Sequence, residues 1–209
     1  FALAGGAESM SRAPYVLPDA RWGQKMGDAR SLDMLLGTLN CPFGTGHMGV
    51  TAENVADEHT ITREEMDAFA LQSQERAAAA IAAGHFKDQI VPVDVKVKRD
   101  MVPFDTDEHP KATTAEALAG LRPVFQKDGR VTAGNASGIN DGAAALVLAR
   151  AEAAKSAGLT PRARILGYAH AGVRPEVMGI GPVPAVRRLL ERTGLKADDF
   201  DVIESNEAF

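Results

Sequence analysis

The apolar positions change period several times along the chain, and each change predicts an element. The opening "FALAGG" reads as a short strand closing on two glycines. From about residue 8 to residue 49 no period holds, and Pro14, Pro18, Pro42 and many glycines mark a long loop-rich section. Thr62 then opens a capping box with Glu65. After it Met66, Phe69, Ala70, Ser73, Ala77 and Ile81 recur at helical spacing up to Gly84, which predicts a long amphipathic helix. Val91, Val93, Val95 and Val97 alternate with Pro92, Asp94, Lys96 and Lys98; this predicts a half-solvated strand, placed at a sheet edge by Pro92.

The second part of the chain is more regular. A strand over 143–149, a helix over 150–157 ending at Gly158, a strand over 163–169, a helix over 184–193 ending at Gly194 and a strand over 200–205 follow in order. Strands separated by helices of this length imply an α/β architecture, a layered sheet with helices packed on it. Ahead of the first of these strands, "TAGNASGINDG" crowds Gly, Ala, Ser and Asn into a few positions. It lacks the glycine spacings of a phosphate-cradling loop. Two readings of the residues stay open: close packing of a helix on a sheet, where Gly and Ala allow a short distance between them, and a narrow channel for a thin ligand.

Composition narrows the class. In 209 residues, 45% hydrophobic, there is enough apolar material for a buried core. The net charge of −5, with both signs interspersed, offers no basic face for a phosphate backbone, so nucleic acid is excluded as the expected partner. The single cysteine, Cys41, cannot form an internal disulfide, and no Cys/His cluster has metal-ligand spacing. The expectation is no metal and a reducing compartment, cytoplasm or an organelle matrix. No apolar run approaches the roughly 20 residues of a spanning helix, so no membrane partner is expected. The chain starts on Phe1 inside one strand and stops just after another, which reads as an internal piece of a longer protein.

Six segments, in order, resemble the thiolase family, whose members make or cleave β-ketoacyl-CoA. They are "AGGAESMSRAPY" (4–15), "GHMGVTAENVA" (46–56), "LRPVF" (121–125), "NASGINDGAAA" (135–145), "VMGIGPVPA" (177–185) and "NEAF" (206–209). The resemblance implies a thiolase-like layered fold, α/β/α/β/α, incomplete here and carrying an inserted loop domain. Residues 1–11 correspond to the end of the N-terminal half, 12–139 to the loop domain, 140–161 to the return to that half, and 162–209 to the start of the C-terminal half.

The resemblance also assigns roles. The small-residue segment containing Ala133 and Ser137 lies along the pantetheine arm of coenzyme A, where a thin amide chain needs small side chains beneath it. Leu39 and Phe125 match apolar positions beside that arm, His47 lines the pantetheine pocket, and Met48 and Met178 wall the acyl group. Lys111 stands where many relatives carry an arginine against the adenine or its phosphate. Asn206 matches the asparagine that holds a water against the thioester oxyanion, the one catalytic assignment, and Phe209 borders the same pocket. Glu207 is expected as a buried structural partner. On the residues alone, the methionines read equally as core packing, His47 as a loop histidine, Lys111 as solvated surface and Asn206 as a turn or cap residue.

Three family features do not occur: the nucleophilic cysteine, the second cysteine that acts as acid and base, and a histidine in a Gly-His-Pro context. Cys41, in "LNCPFG", lies outside the nucleophile context, and the missing groups are expected beyond both ends of this chain. The implied function is a thiolase-type acyltransferase, condensing two acyl-CoA (acetyl-CoA) or cleaving 3-ketoacyl-CoA through a cysteine acyl-enzyme. This chain alone is expected to be inactive. Coenzyme A is then substrate, no cofactor is implied, and the full-length protein is expected to be a homodimer or homotetramer. A non-catalytic thiolase-like acyl-CoA or lipid carrier is the alternative.

Overall fold

The computed structural model describes residues 1–209. In chain order the elements are β1 (Ala2–Glu8), β2 (Tyr15–Val16), β3 (Leu32–Asp33), α1 (Met34–Thr38), β4 (Asn40–Cys41), β5 (Gly46–His47), α2 (Met48–Glu58) and α3 (Arg63–Ala82). There follow β6 (Val93–Val97), β7 (Asp100–Phe104), α4 (Ala115–Ala119), β8 (Gly142–Leu148), α5 (Ala151–Ser156) and α6 (Pro182–Thr193). Contacts gather them into two units, Phe1–Val55 with Ile139–Asn206, and Ala56–Gly138 with Glu207–Phe209.

In the first unit β1 runs antiparallel to β8, from Ala2 opposite Leu148 to Glu8 opposite Gly142. The backbones meet so closely at Gly5 that a Cβ there would collide with the Ala144 carbonyl. Just past the last pair, Ser11 closes the ladder: its amide (2.9 Å) and hydroxyl (2.6 Å) donate to the two carboxylate oxygens of Asp141. Every residue of both strands is exposed.

The expected strands over 163–169 and 200–205 do not form ladders, because a strand is made by the hydrogen bonds of a neighbour and none is present for either. The first segment is instead held by α6. Arg192 and Arg188 donate to the carbonyls of Tyr168 (3.3 Å) and His170 (2.9 Å), two residues apart as on one strand edge. A Cβ at Gly167 would press on Thr193 and Leu189 of that helix. The helix begins at Pro182, where a proline at the first turn loses no bond, and ends as expected at Gly194 in the left-handed conformation (φ 73°).

The loop-rich section holds more structure than its composition predicts. β2 pairs β3 and β4 pairs β5 within it, and just past its end α2 is a helix of eleven residues, a stretch to which no element is assigned from the pattern. The periodicity of α2 is hidden because its buried positions include Thr51 and Glu53 beside small Gly49 and Ala56.

In the second unit α3 starts at the expected capping box: Glu65 N–H donates to Thr62 Oγ1 (3.2 Å) and Thr62 N–H to Glu65 Oε2 (2.8 Å). Of the positions expected on its apolar face, Met66, Ala70, Ser73 and Ala77 are half-buried. Phe69 and Ile81 remain about half exposed, and the buried residue is Asp67. β6 forms as expected with Pro92 just outside it, but both faces are exposed rather than one. Its partner β7 follows a two-residue turn in which Lys98 takes a positive φ of 56°.

The buried apolar residues are Ala56, Leu118, Val131, Ala154 and Val177, matched in number by buried Thr51, Glu53, Asp67, Thr132 and Asn135. The accessible surface is 17141 Å². A folded monomer of 22.1 kDa is expected to expose only about 9,300 Å². No helix is long and apolar enough to cross a membrane.

Candidate functional site

Five of the expected site residues lie in the first unit. Leu39 ends α1, half-buried, and its carbonyl accepts the Met48 amide at 2.8 Å, so the two are joined through backbone. The β4–β5 hairpin sets His47 directly before Met48, the first residue of α2. His47 Nδ1 accepts the Gly49 amide at 3.0 Å, which in a neutral ring leaves the proton on Nε2. Beside Leu39 a cavity of about 380 Å³ is lined by Met10, Pro14, Met34, Leu35 and Thr38. Met178 sits in a 3-10 turn, Pro175–Ile180, that Asn54 of α2 ties down by donating to the Glu176 carbonyl at 2.9 Å. Met178 and Asn206 are both exposed.

Cys41 occupies the same hairpin, half-buried, with its thiol pKa below the usual value. The Thr45 hydroxyl is the main cause and the Phe43 backbone the next; the Thr45 oxygen is itself buried without a well-aligned partner.

The other five residues lie in the second unit. Phe125 and Phe209 meet edge to face, with ring centroids 6.3 Å apart and planes at 80°. Ser137 N–H donates to the Ala208 carbonyl at 3.0 Å, which brings the small-residue turn to the segment that ends in Phe209. Ala133 and Ser137 present exposed side chains, whereas Thr132 and Asn135 point inward and are buried. Lys111 is exposed and anchored by its amide to Gln74 of α3 at 3.0 Å. Glu207 is exposed rather than buried, because its carboxylate reaches Ser73 of α3, whose hydroxyl donates at 2.6 Å.

Close packing accounts for one of the small residues, against leucines of α4 and the turn after it rather than against a sheet. Gly134 is small because it packs: a Cβ would lie 2.5 Å from Leu118 and 2.6 Å from Leu121. Ala133 and Ser137, by contrast, are exposed. The sequence reading missed what holds this turn, the buried side chains of Asp67 and Asn135 and the Arg63 beside them. An Arg and an Asp four apart on a helix were the available signal. It also missed the Ser11–Asp141 pair, which spans 130 residues and leaves no local pattern.

The N-terminal thiolase domain model matches residues 1–152, and the C-terminal thiolase domain model matches residues 159–209. The chain is 59% identical to the β-ketothiolase BktB of Cupriavidus necator, over 100% of the chain and 53% of that protein. It is 56% identical to an acetyl-CoA acetyltransferase of Escherichia coli, over 99% and 53%. Human mitochondrial 3-ketoacyl-CoA thiolase, solved in complex with CoA, superimposes with a TM-score of 0.90 at 48% identity, over 99% of this chain and 52% of that one. The chain thus spans about half the length of the relatives it matches, and likeness of this degree in both sequence and structure fixes the layered α/β class. The chain belongs to the thiolase family.

Proposed function

We propose that the protein carrying this chain is a thiolase-type acyltransferase that condenses two acetyl-CoA or cleaves a 3-ketoacyl-CoA with CoA. The observation that carries the reading is the succession of both thiolase domain matches across one chain. In thiolysis a cysteine thiolate attacks the keto carbon of the substrate, the bond to the neighbouring carbon breaks, and acetyl-CoA leaves after protonation of its enolate. CoA then takes the acyl group from the cysteine as a new thioester. The cysteine and its histidine are assigned to parts of the protein outside residues 1–209.

This chain's share is binding and charge stabilisation. The turn bearing Ala133 and Ser137, with Leu39 and Phe125, flanks the pantetheine arm, and His47 lines its pocket. Met48 and Met178 wall the acyl group without offering a proton. Asn206 holds a water against the developing oxyanion and Phe209 borders it. Lys111 meets a CoA phosphate as a point charge. Coenzyme A is substrate, no prosthetic group takes part, and the protein is a homodimer or homotetramer by analogy with the family.

The test is thiolysis of acetoacetyl-CoA by the purified natural gene product. CoA-dependent loss of substrate is expected, with Asn206→Ala lowering kcat by about 100- to 1,000-fold. Acyl-CoA binding without turnover would overturn the enzyme in favour of a carrier.

A further inference from the structure

We propose that Asp67, Arg63 and Asn135 form a positioning network that fixes the turn bearing Ala133 and Ser137 for the pantetheine arm; this rests on the thiolase reading. The Asp67 carboxylate is buried in α3 and divided between two partners. Oδ2 accepts Arg63 Nε at 2.6 Å, and Oδ1 accepts Asn135 Nδ2 at 2.9 Å. The Asn135 amide is fully engaged as a donor, because Nδ2 also reaches the Arg130 carbonyl at 3.0 Å. Its Oδ1 accepts Thr132 N–H at 2.8 Å, so one side chain spans the turn from inside.

Arg63 closes the circuit. Its Nη2 donates to the carbonyls of Leu118 (2.7 Å) and Leu121 (3.1 Å) at the end of α4, and the side chains of those two leucines pack on Gly134. The turn is therefore gripped from α3 through Asn135 and from α4 through Gly134, and the same ion pair sets both helices. What remains free to meet a ligand is the outward face, Ala133 and Ser137. An ion pair whose carboxylate is this buried fixes geometry stringently, since removing either partner strands a charge. None of the three touches the reacting atoms, so their effect falls on CoA binding.

The test uses the natural gene product, with Asn135→Asp, which keeps shape but removes both donors and sets carboxylate against carboxylate. Asp67→Asn and the double variant D67N/N135D, which restores a donor opposite an acceptor, complete the cycle. KM for CoA is expected to rise about tenfold or more in N135D, with a much smaller fall in kcat and partial recovery in the double variant. With N-acetylcysteamine, an acyl acceptor lacking most of the arm, the difference from wild type should shrink. Unchanged KM for CoA in a folded variant, or equal losses with both thiols, would overturn the positioning role. If N135D fails to fold, D67N read by calorimetric CoA affinity gives the same decision. A wild-type protein that neither turns over nor binds CoA sinks the thiolase reading itself, whereas active wild type with indifferent variants sinks only the network.

Discussion

Asp141 shows how one side chain can serve two parts of the chain 130 residues apart. The Ser11 hydroxyl and then the Ser11 amide hold its pKa below the usual carboxylate value against the opposing effect of burial, with lesser help from the Met10 amide and the Arg12 charge. The depressed value makes the ionised form stabilising: the contribution is present above the unfolded pKa, near 3.9, and is lost as pH falls through the folded one. Ser11→Ala is therefore expected to be less stable than wild type at neutral pH, with the gap closing in acid. Denaturant midpoints measured from pH 7 downward check this, and a gap that persists at the lowest pH would contradict it. At this scale the sequence was legible where a residue's chemistry is local, as for Thr62 and Glu65 or Gly194. It was not legible for Asp141, Asp67 or Asn135, whose partners are chosen by folding.

Among elements, the β1–β8 ladder gives the sharpest contrast. Gly5 and Gly6 are neighbours in sequence, yet an added Cβ meets the Ala144 backbone at the first and nothing at the second. Gly5→Ala is expected to cost about 1–3 kcal/mol, because backbone must shift to admit it. Gly6→Ala should change stability by no more than about 0.5 kcal/mol. Chemical denaturation of the two variants decides the matter; equal effects would mean the strands are not held in this register. The strands around 2–8 and 142–148, α3, α5 and α6 were all legible from period and caps. The segments 163–169 and 200–205 carry the same apolar signal without a ladder, since pattern records what a strand buries and not whether a neighbour is present. The helix α2 escaped for the opposite reason, having buried polar groups where the pattern looks for apolar ones.

At the scale of the whole molecule, surface is the dominant quantity. An accessible area nearly twice that expected for the mass, with Leu3, Leu146 and Val147 among the exposed residues of the ladder, leaves apolar area and strand edges open to association. The 209-residue chain produced alone is expected to bind an apolar dye, to sediment as soluble aggregates and to show no thiolysis of acetoacetyl-CoA. A monodisperse, dye-silent monomer would contradict this exposure, and clear turnover would contradict the proposed placement of the nucleophile outside residues 1–209.

The grip of α3 also limits which lengths of this chain can survive in evolution. Arg63, Asp67 and Gln74 share one face of the helix with Ser73 beside them, and each holds a different segment. Deleting one residue between Asp67 and Ser73 would turn everything after it by about 100°. The Arg63–Asp67 pair would survive while Glu207 and Lys111 lost their anchors. Insertions and deletions should therefore be rare in the first three turns of this helix across relatives, and tolerated in the alanine-rich turn that ends it.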